Sequence, residues 1–153
     1  MKRNLRLASV AALSFTLGIL LARVPISVRA AAAPLQLAVI DLTAIAPDAM
    51  PTPTSLFPEL RSKTLVVTDG MSLAFQTGTV AKHYHADANE VQIVLSGTGS
   101  EWLGDKQVAI KPGTLIVIPK GTVHGNWIAT SQPLELISVK TPPQAPSDVH
   151  LAP

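Results

Sequence analysis

The chain has no cysteine. That excludes a disulfide framework, a thiolate metal ligand and a lipoprotein attachment site. Aromatic residues are scarce, with two Trp, one Tyr and three Phe. No Ser or Cys nucleophile constellation is present, and no glycine-rich phosphate loop. No general acid–base pair stands outside one histidine-rich stretch described below. No Arg-Arg pair occurs, which argues against export of folded cargo by the twin-arginine route. No segment keeps a 3.6-residue apolar period long enough for a substantial helix.

What is present begins with a leader. Lys2, Arg3 and Arg6 give a positive start, Leu7 to Ala22 is apolar, and Ala30 to Ala33 offers small residues for cleavage. This is a signal-peptide layout over residues 1–33, with cleavage expected near 30–33. The alternative is an uncleaved anchor, but the apolar run is shorter than the roughly 20 residues that span a bilayer comfortably. The expected location is therefore periplasmic or secreted, with membrane contact only through the leader. Lys2, Arg3, Arg6, Arg23 and Arg29 are five of the twelve basic residues, and all ten acidic residues lie beyond position 33. The remainder thus carries seven positive against ten negative charges, a net of −3. A nucleic-acid partner has no basic stripe to bind, so none is expected.

Residues 34–60 are apolar and rich in proline, with Leu35 to Ile40 as one strand candidate. Prolines from position 47 to 58 forbid a long helix or a central strand there. The segment reads as an extended arm across the barrel or a partner subunit, or as a loosely ordered start. From Lys63 short apolar runs alternate with turns: Thr64–Val67, Met71–Thr77, Val80–His85, Glu90–Leu95, Trp102–Leu103, Gln107–Ile110, Thr114–Ile118, His124–Ala129 and Leu134–Val139. Gly104-Asp105 fits a two-residue hairpin turn. Many short strands at this spacing predict an all-β barrel or sandwich over 61–140. Residues 141–153 hold four of the thirteen prolines and read as a flexible tail, leaving His150 solvated and without a role.

Within the barrel, His83 and His85 are two apart and share one face of a strand, with Tyr84 on the other. A four-residue turn leads to Glu90 on what is expected to be the neighbouring strand. His124 follows the turn Pro119-Lys120-Gly121. Three imidazoles and one carboxylate can converge on a single ion.

These motifs resemble the cupin superfamily, in the form of its compact single-domain bacterial members. Gly78, His83, His85, Glu90 and Gly97 fill its first motif, and Gly113, Pro119, Gly121 and His124 its second. Two positions depart. Four residues rather than the usual five separate Gly78 from His83, and Ile128 stands where the family has asparagine, with Asn126 two positions earlier. Because 124, 126 and 128 share a face of a regular strand, Asn126 is expected to line the cavity. The resemblance implies a double-stranded β-helix, or jelly roll, and a divalent metal held by His83, His85, Glu90 and His124. The ligand set suits Mn, Fe, Ni, Cu or Zn, and export favours Cu, Zn or Mn over Fe. Two functions follow as expectations. One is a dioxygenase-type enzyme acting on a small molecule, with Glu90 as base and Gln92, Asn126, Trp127 and Phe75 lining the substrate pocket. The other is non-catalytic capture of a small acid or sugar. A third reading makes the ion a structural staple. A homodimer is expected from the packing habits of the family.

Overall fold

A computed structural model describes residues 34–153, so the leader and its cleavage site lie outside the described residues. The chain from residue 34 onward forms ten strands in two five-stranded sheets. The strands are β1 (Arg61–Val67), β2 (Ser72–Thr77), β3 (His83–Tyr84), β4 (Asn89–Ser96), β5 (Gly99–Leu103), β6 (Lys106–Ile110), β7 (Leu115–Ile118), β8 (His124–Ala129), β9 (Glu135–Thr141) and β10 (His150–Leu151). One sheet runs β1-β2-β9-β4-β7, the other β10-β3-β8-β5-β6. Consecutive strands cross repeatedly between the sheets, giving the expected jelly roll. Gly104-Asp105 makes the tight connection, with Leu103 paired to Lys106 across it. Among the described residues no helix is long and apolar enough to cross a membrane.

The core lies between the sheets. Val94 and Leu136, paired across β4 and β9, line it with Ile116 and Ile118 of the same sheet and meet Ile110 and Trp127 of the other. Residues directly opposite across a ladder share a face, so Glu90, Gln92 and Val94 of β4 point inward with Lys140, Ser138 and Leu136 of β9. The reverse face carries two apolar rows across the sheet: Leu73, Val139, Val91 and Val117, then Phe75, Ile137, Ile93 and Leu115. At its edge strand β7, Leu115 and Val117 are 60% and 66% exposed.

The arm differs from expectation at its start. Leu35 to Ile40 forms no strand; two short 3-10 helices follow at Leu42–Ala44 and Pro47–Ala49. Phe57 and Leu60 then join the core. Gly78 makes this approach possible. Its φ is +101°, and a Cβ there would fall 2.1 Å from the Glu59 carbonyl oxygen.

The C-terminal segment is not a loose tail. β10 pairs with β3, Val149 packs against the core, and Asp148 is buried. The prolines that suggested disorder instead steer an extended chain that finds its hydrogen bonds elsewhere. His150 is half-buried and stacks on Tyr84, with ring centroids 4.9 Å apart.

Candidate metal centre

His83 and His124 are direct partners across β3 and β8, which puts their rings side by side with centroids 4.3 Å apart. His85 follows β3 on the same side. Glu90 does not come from a neighbouring strand of that sheet: the turn 86–89 crosses to β4, so the carboxylate arrives from the opposite wall. The ligand atoms offered by His83, His85, Glu90 and His124 all lie within 4.8 Å of one another, and all four residues are buried.

Each ring is fixed from behind. Nδ1 of His83 meets the Ala81 carbonyl at 2.8 Å, Nδ1 of His85 the Asp148 carbonyl at 2.5 Å, and Nδ1 of His124 the Thr122 carbonyl at 2.9 Å. A carbonyl only accepts, so each Nδ1 carries the proton and donates it. Each Nε2 is left with a lone pair. Gly125 protects this arrangement. With φ at +111°, any Cβ there would press 2.7 Å from the Ala81 oxygen that receives the His83 proton.

The carboxylate is fixed in the same way. Oε1 of Glu90 accepts from Ser138 Oγ at 2.7 Å and Gln92 Nε2 at 3.2 Å. Oε2 faces Nε2 of His85 and of His124, both at 3.2 Å, with Lys140 Nζ at 3.6 Å. Lone pairs of neutral rings facing a carboxylate oxygen repel unless a cation or an added proton lies between. Two donors about 2.1 Å from one ion are about 3.0 Å apart at a right angle and about 3.4 Å apart at a tetrahedral angle. The two spacings to Glu90 fall between these values, so His85, Glu90 and His124 fit a small divalent ion with His83 beside them, and their nitrogen-rich set suits a transition metal.

The electrostatics agree. Burial, with His124 nearby, lowers the pKa of His83 to about 3, so that ring stays neutral. Burial alone would raise Glu90. The Lys140 ammonium and the rings of His124 and His85 outweigh it and hold the carboxyl well below its usual range. Burial would lower His124, but the adjacent Glu90 carboxylate wins and raises it.

Of the expected pocket residues, Gln92 is fully buried and touches Glu90, and Trp127 points into the core. Phe75 does not line the interior. It lies on the reverse face of the sheet, opposite Ile137, because β2 runs with Ala74 and Gln76 inward. Asn126 is only half-buried. Gly125 and Asn126 both have positive φ, at 111° and 52°, and the pairing of β8 with β5 shifts register there. The irregularity breaks the alternation, so Trp127 is buried and Ile128 exposed.

Four residues at the centre were not anticipated: Ser138, Lys140, Asp148 and Glu101. Ser138 and Lys140 follow from strand parity once β9 is known to pair with β4. Asp148 accepts from the backbone N–H groups of Ala86, Asp87 and Ala88 at 2.7–3.0 Å, holding the turn between His85 and Glu90. Glu101 is buried on β5, and burial pushes its pKa up to about 7. Trp127 and Gln92 lie beside its carboxyl and draw the value back, but neither closes to a hydrogen bond of normal geometry.

Residues 71–140 match the family described as the cupin domain. No curated protein matches the chain. Solved structures of similar fold include an uncharacterised conserved protein with a double-stranded β-helix domain from Klebsiella pneumoniae. It is 19% identical with a TM-score of 0.57, and the match covers 74% of this chain and 99% of that one. TT1209 from Thermus thermophilus is also 19% identical with a TM-score of 0.57, over 69% of this chain and 98% of its own. A Streptomyces PAC13 variant solved with uridine is 14% identical, with a TM-score of 0.55 over 71% and 88%. At these identities the likeness establishes the fold.

Proposed function

We propose, from the match of residues 71–140 to the cupin domain family, that this chain is an exported protein holding one divalent transition-metal ion through His83, His85, Glu90 and His124. The observation that carries this reading is the convergence of their ligand atoms within 4.8 Å, with each ring nitrogen and the second carboxylate oxygen engaged from behind. Cu, Zn or Mn is the ion favoured outside the cytoplasm, ahead of Fe or Ni. Elemental analysis of protein from the native exported fraction tests it. One equivalent of Cu, Zn or Mn is expected, falling to background in His124→Ala, whereas iron alone overturns the metal assignment. N-terminal sequencing of the same material should begin near residues 31–34; an intact Met1 supports a retained anchor instead.

The reaction we favour is of the dioxygenase type on a small molecule. A bound ion would supply Lewis-acid chemistry, and Cu or Mn, unlike Zn, would also supply the redox chemistry that a dioxygenase needs. The chain itself orients the rings, keeps His83 neutral and holds Glu90 ionised. Released from the ion, Glu90 would serve as the base, its carboxylate steadied by Ser138 and Gln92. Substrate-dependent oxygen uptake by the metal-loaded protein, lost in Glu90→Gln, is the expected result. Saturable binding without turnover favours the second reading, capture of a small acid or sugar. The fold relative solved with uridine supports a small polar ligand in either case.

A further inference from the structure

Beside the metal centre lies a second group of polar atoms that the centre does not use. Glu101 is 0% exposed, and neither of its carboxylate oxygens meets a donor. Oε1 of Gln92 and Nε1 of Trp127 are likewise buried and unpartnered. The three side chains lie together: the indole and the amide adjoin the Glu101 carboxyl, and the charges of His124 and Glu90 act on it. Buried polar groups are nearly always paired, so orphans gathered in one place point to a partner that comes from outside the chain.

The chemistry of the orphans restricts that partner. Gln92 has already committed Nε2 to Glu90, so its oxygen can only accept. The Trp127 indole can only donate. A carboxyl accepts in either state and, when protonated, also donates. A ligand carboxylate would confront the Gln92 oxygen, an ammonium would offer nothing to the indole, and a hydrocarbon would leave all three groups unsatisfied. A hydroxyl both gives and receives, and it suits each of them.

We propose that Glu101, Gln92 and Trp127 form a hydroxyl-binding subsite next to the metal centre, and that the ligand of this barrel is a hydroxylated small molecule of the sugar-acid or polyol type. The proposal rests on the reading of the barrel as a small-molecule site, and it holds whichever metal is bound.

The test compares D-gluconate with hexanoate, two carboxylates of equal chain length with and without hydroxyls. Thermal shift titrations are run on the metal-loaded wild type and on Glu101→Gln, Glu101→Leu and Trp127→Phe, with metal content measured for each. The wild type should bind gluconate about tenfold or more tighter than hexanoate, as for one or more buried hydrogen bonds. Glu101→Gln should keep most of that preference. Glu101→Leu and Trp127→Phe should lose it while retaining their metal, and Glu101→Leu without ligand should melt no lower than the wild type. Absence of the preference in the wild type overturns the proposal. So does a Glu101→Leu protein that is more stable but binds gluconate unchanged, since the carboxyl then held only water. If Glu101→Leu fails to fold, the pair Glu101→Gln and Trp127→Phe decides. A wild type that takes up no metal yet prefers gluconate defeats the metal assignment alone; a metal-loaded one without the preference defeats the subsite alone.

Discussion

Ser138 shows how little separates a carboxylate that can serve as a ligand from one that cannot. Its hydroxyl, 2.7 Å from Glu90 Oε1, is one of two groups that aim Oε2 at the histidines. Removing such a supporting contact typically costs 10–100-fold in metal affinity. Ser138→Ala should therefore bind metal about tenfold more weakly, by competition with a chelator, while its circular dichroism stays unchanged. Glu101 yields a pH prediction. Its folded pKa of about 7 lies above the reference value of 4.5. The folded state holds this proton more tightly, so its contribution is fully present below pH 4.5 and lost as pH rises to about 7. At about 1.4 kcal/mol per pKa unit the loss is up to about 3 kcal/mol. In metal-free protein, Glu101→Gln should remove that decline, and its melting temperature should overtake the wild type across this interval. The cluster of His83, His85, Glu90 and His124 was legible because histidines two apart, a carboxylate and a later histidine follow a shared spacing. Glu101 was not. In Ser100-Glu101-Trp102-Leu103 apolar residues are adjacent, so a period of two leaves the phase open. Trp102 suggests Glu101 outside; Leu103, which packs on the core, puts it inside.

At the scale of elements, the turn between His85 and Glu90 depends on a residue some sixty positions later. Asp148 receives three backbone N–H groups from Ala86 to Ala88 while buried. Hydrogen bonds to a buried charge are worth about 1.5–3 kcal/mol each. Asp148→Ala should destabilise the protein by about 3 kcal/mol in denaturant unfolding and loosen metal binding with it. The alternation of Glu90 to Leu95 and the glycine turns made β4 to β7 readable. β3 is limited to two residues, and its flanks bond outside the ladder: Asn126 N–H at the kink of β8 reaches the Val80 carbonyl, and Gly121 N–H in the turn before β8 reaches the His85 carbonyl. The phase of β2 and the kink in β8 were hidden, since both depend on partners whose register no local pattern reveals. β10 escaped notice because two residues make no pattern.

For the whole molecule, the apolar rows on the outer face of the β1-β2-β9-β4-β7 sheet bear on the expected homodimer. Leu115 and Val117 expose most of their surface at its edge, where a second copy would cover it. Val117→Glu should give a monomer by light scattering at micromolar concentration while its metal content is retained; a wild type already monomeric there removes the dimer. The barrel was readable because turn residues recur at short intervals. The packing of both flanks was not, because proline-rich segments look alike whether they dock or wander.

The contact between His85 and Asp148 also sets an order of assembly. Until the end of the chain is in place, one imidazole has no fixed orientation and the turn beside it has no anchor. If the chain is exported and metal-bound as proposed, a polypeptide still crossing the membrane would have only part of the pocket, and loading would wait for passage to finish. The ion would then be decided by the compartment of arrival, not the one where translation began.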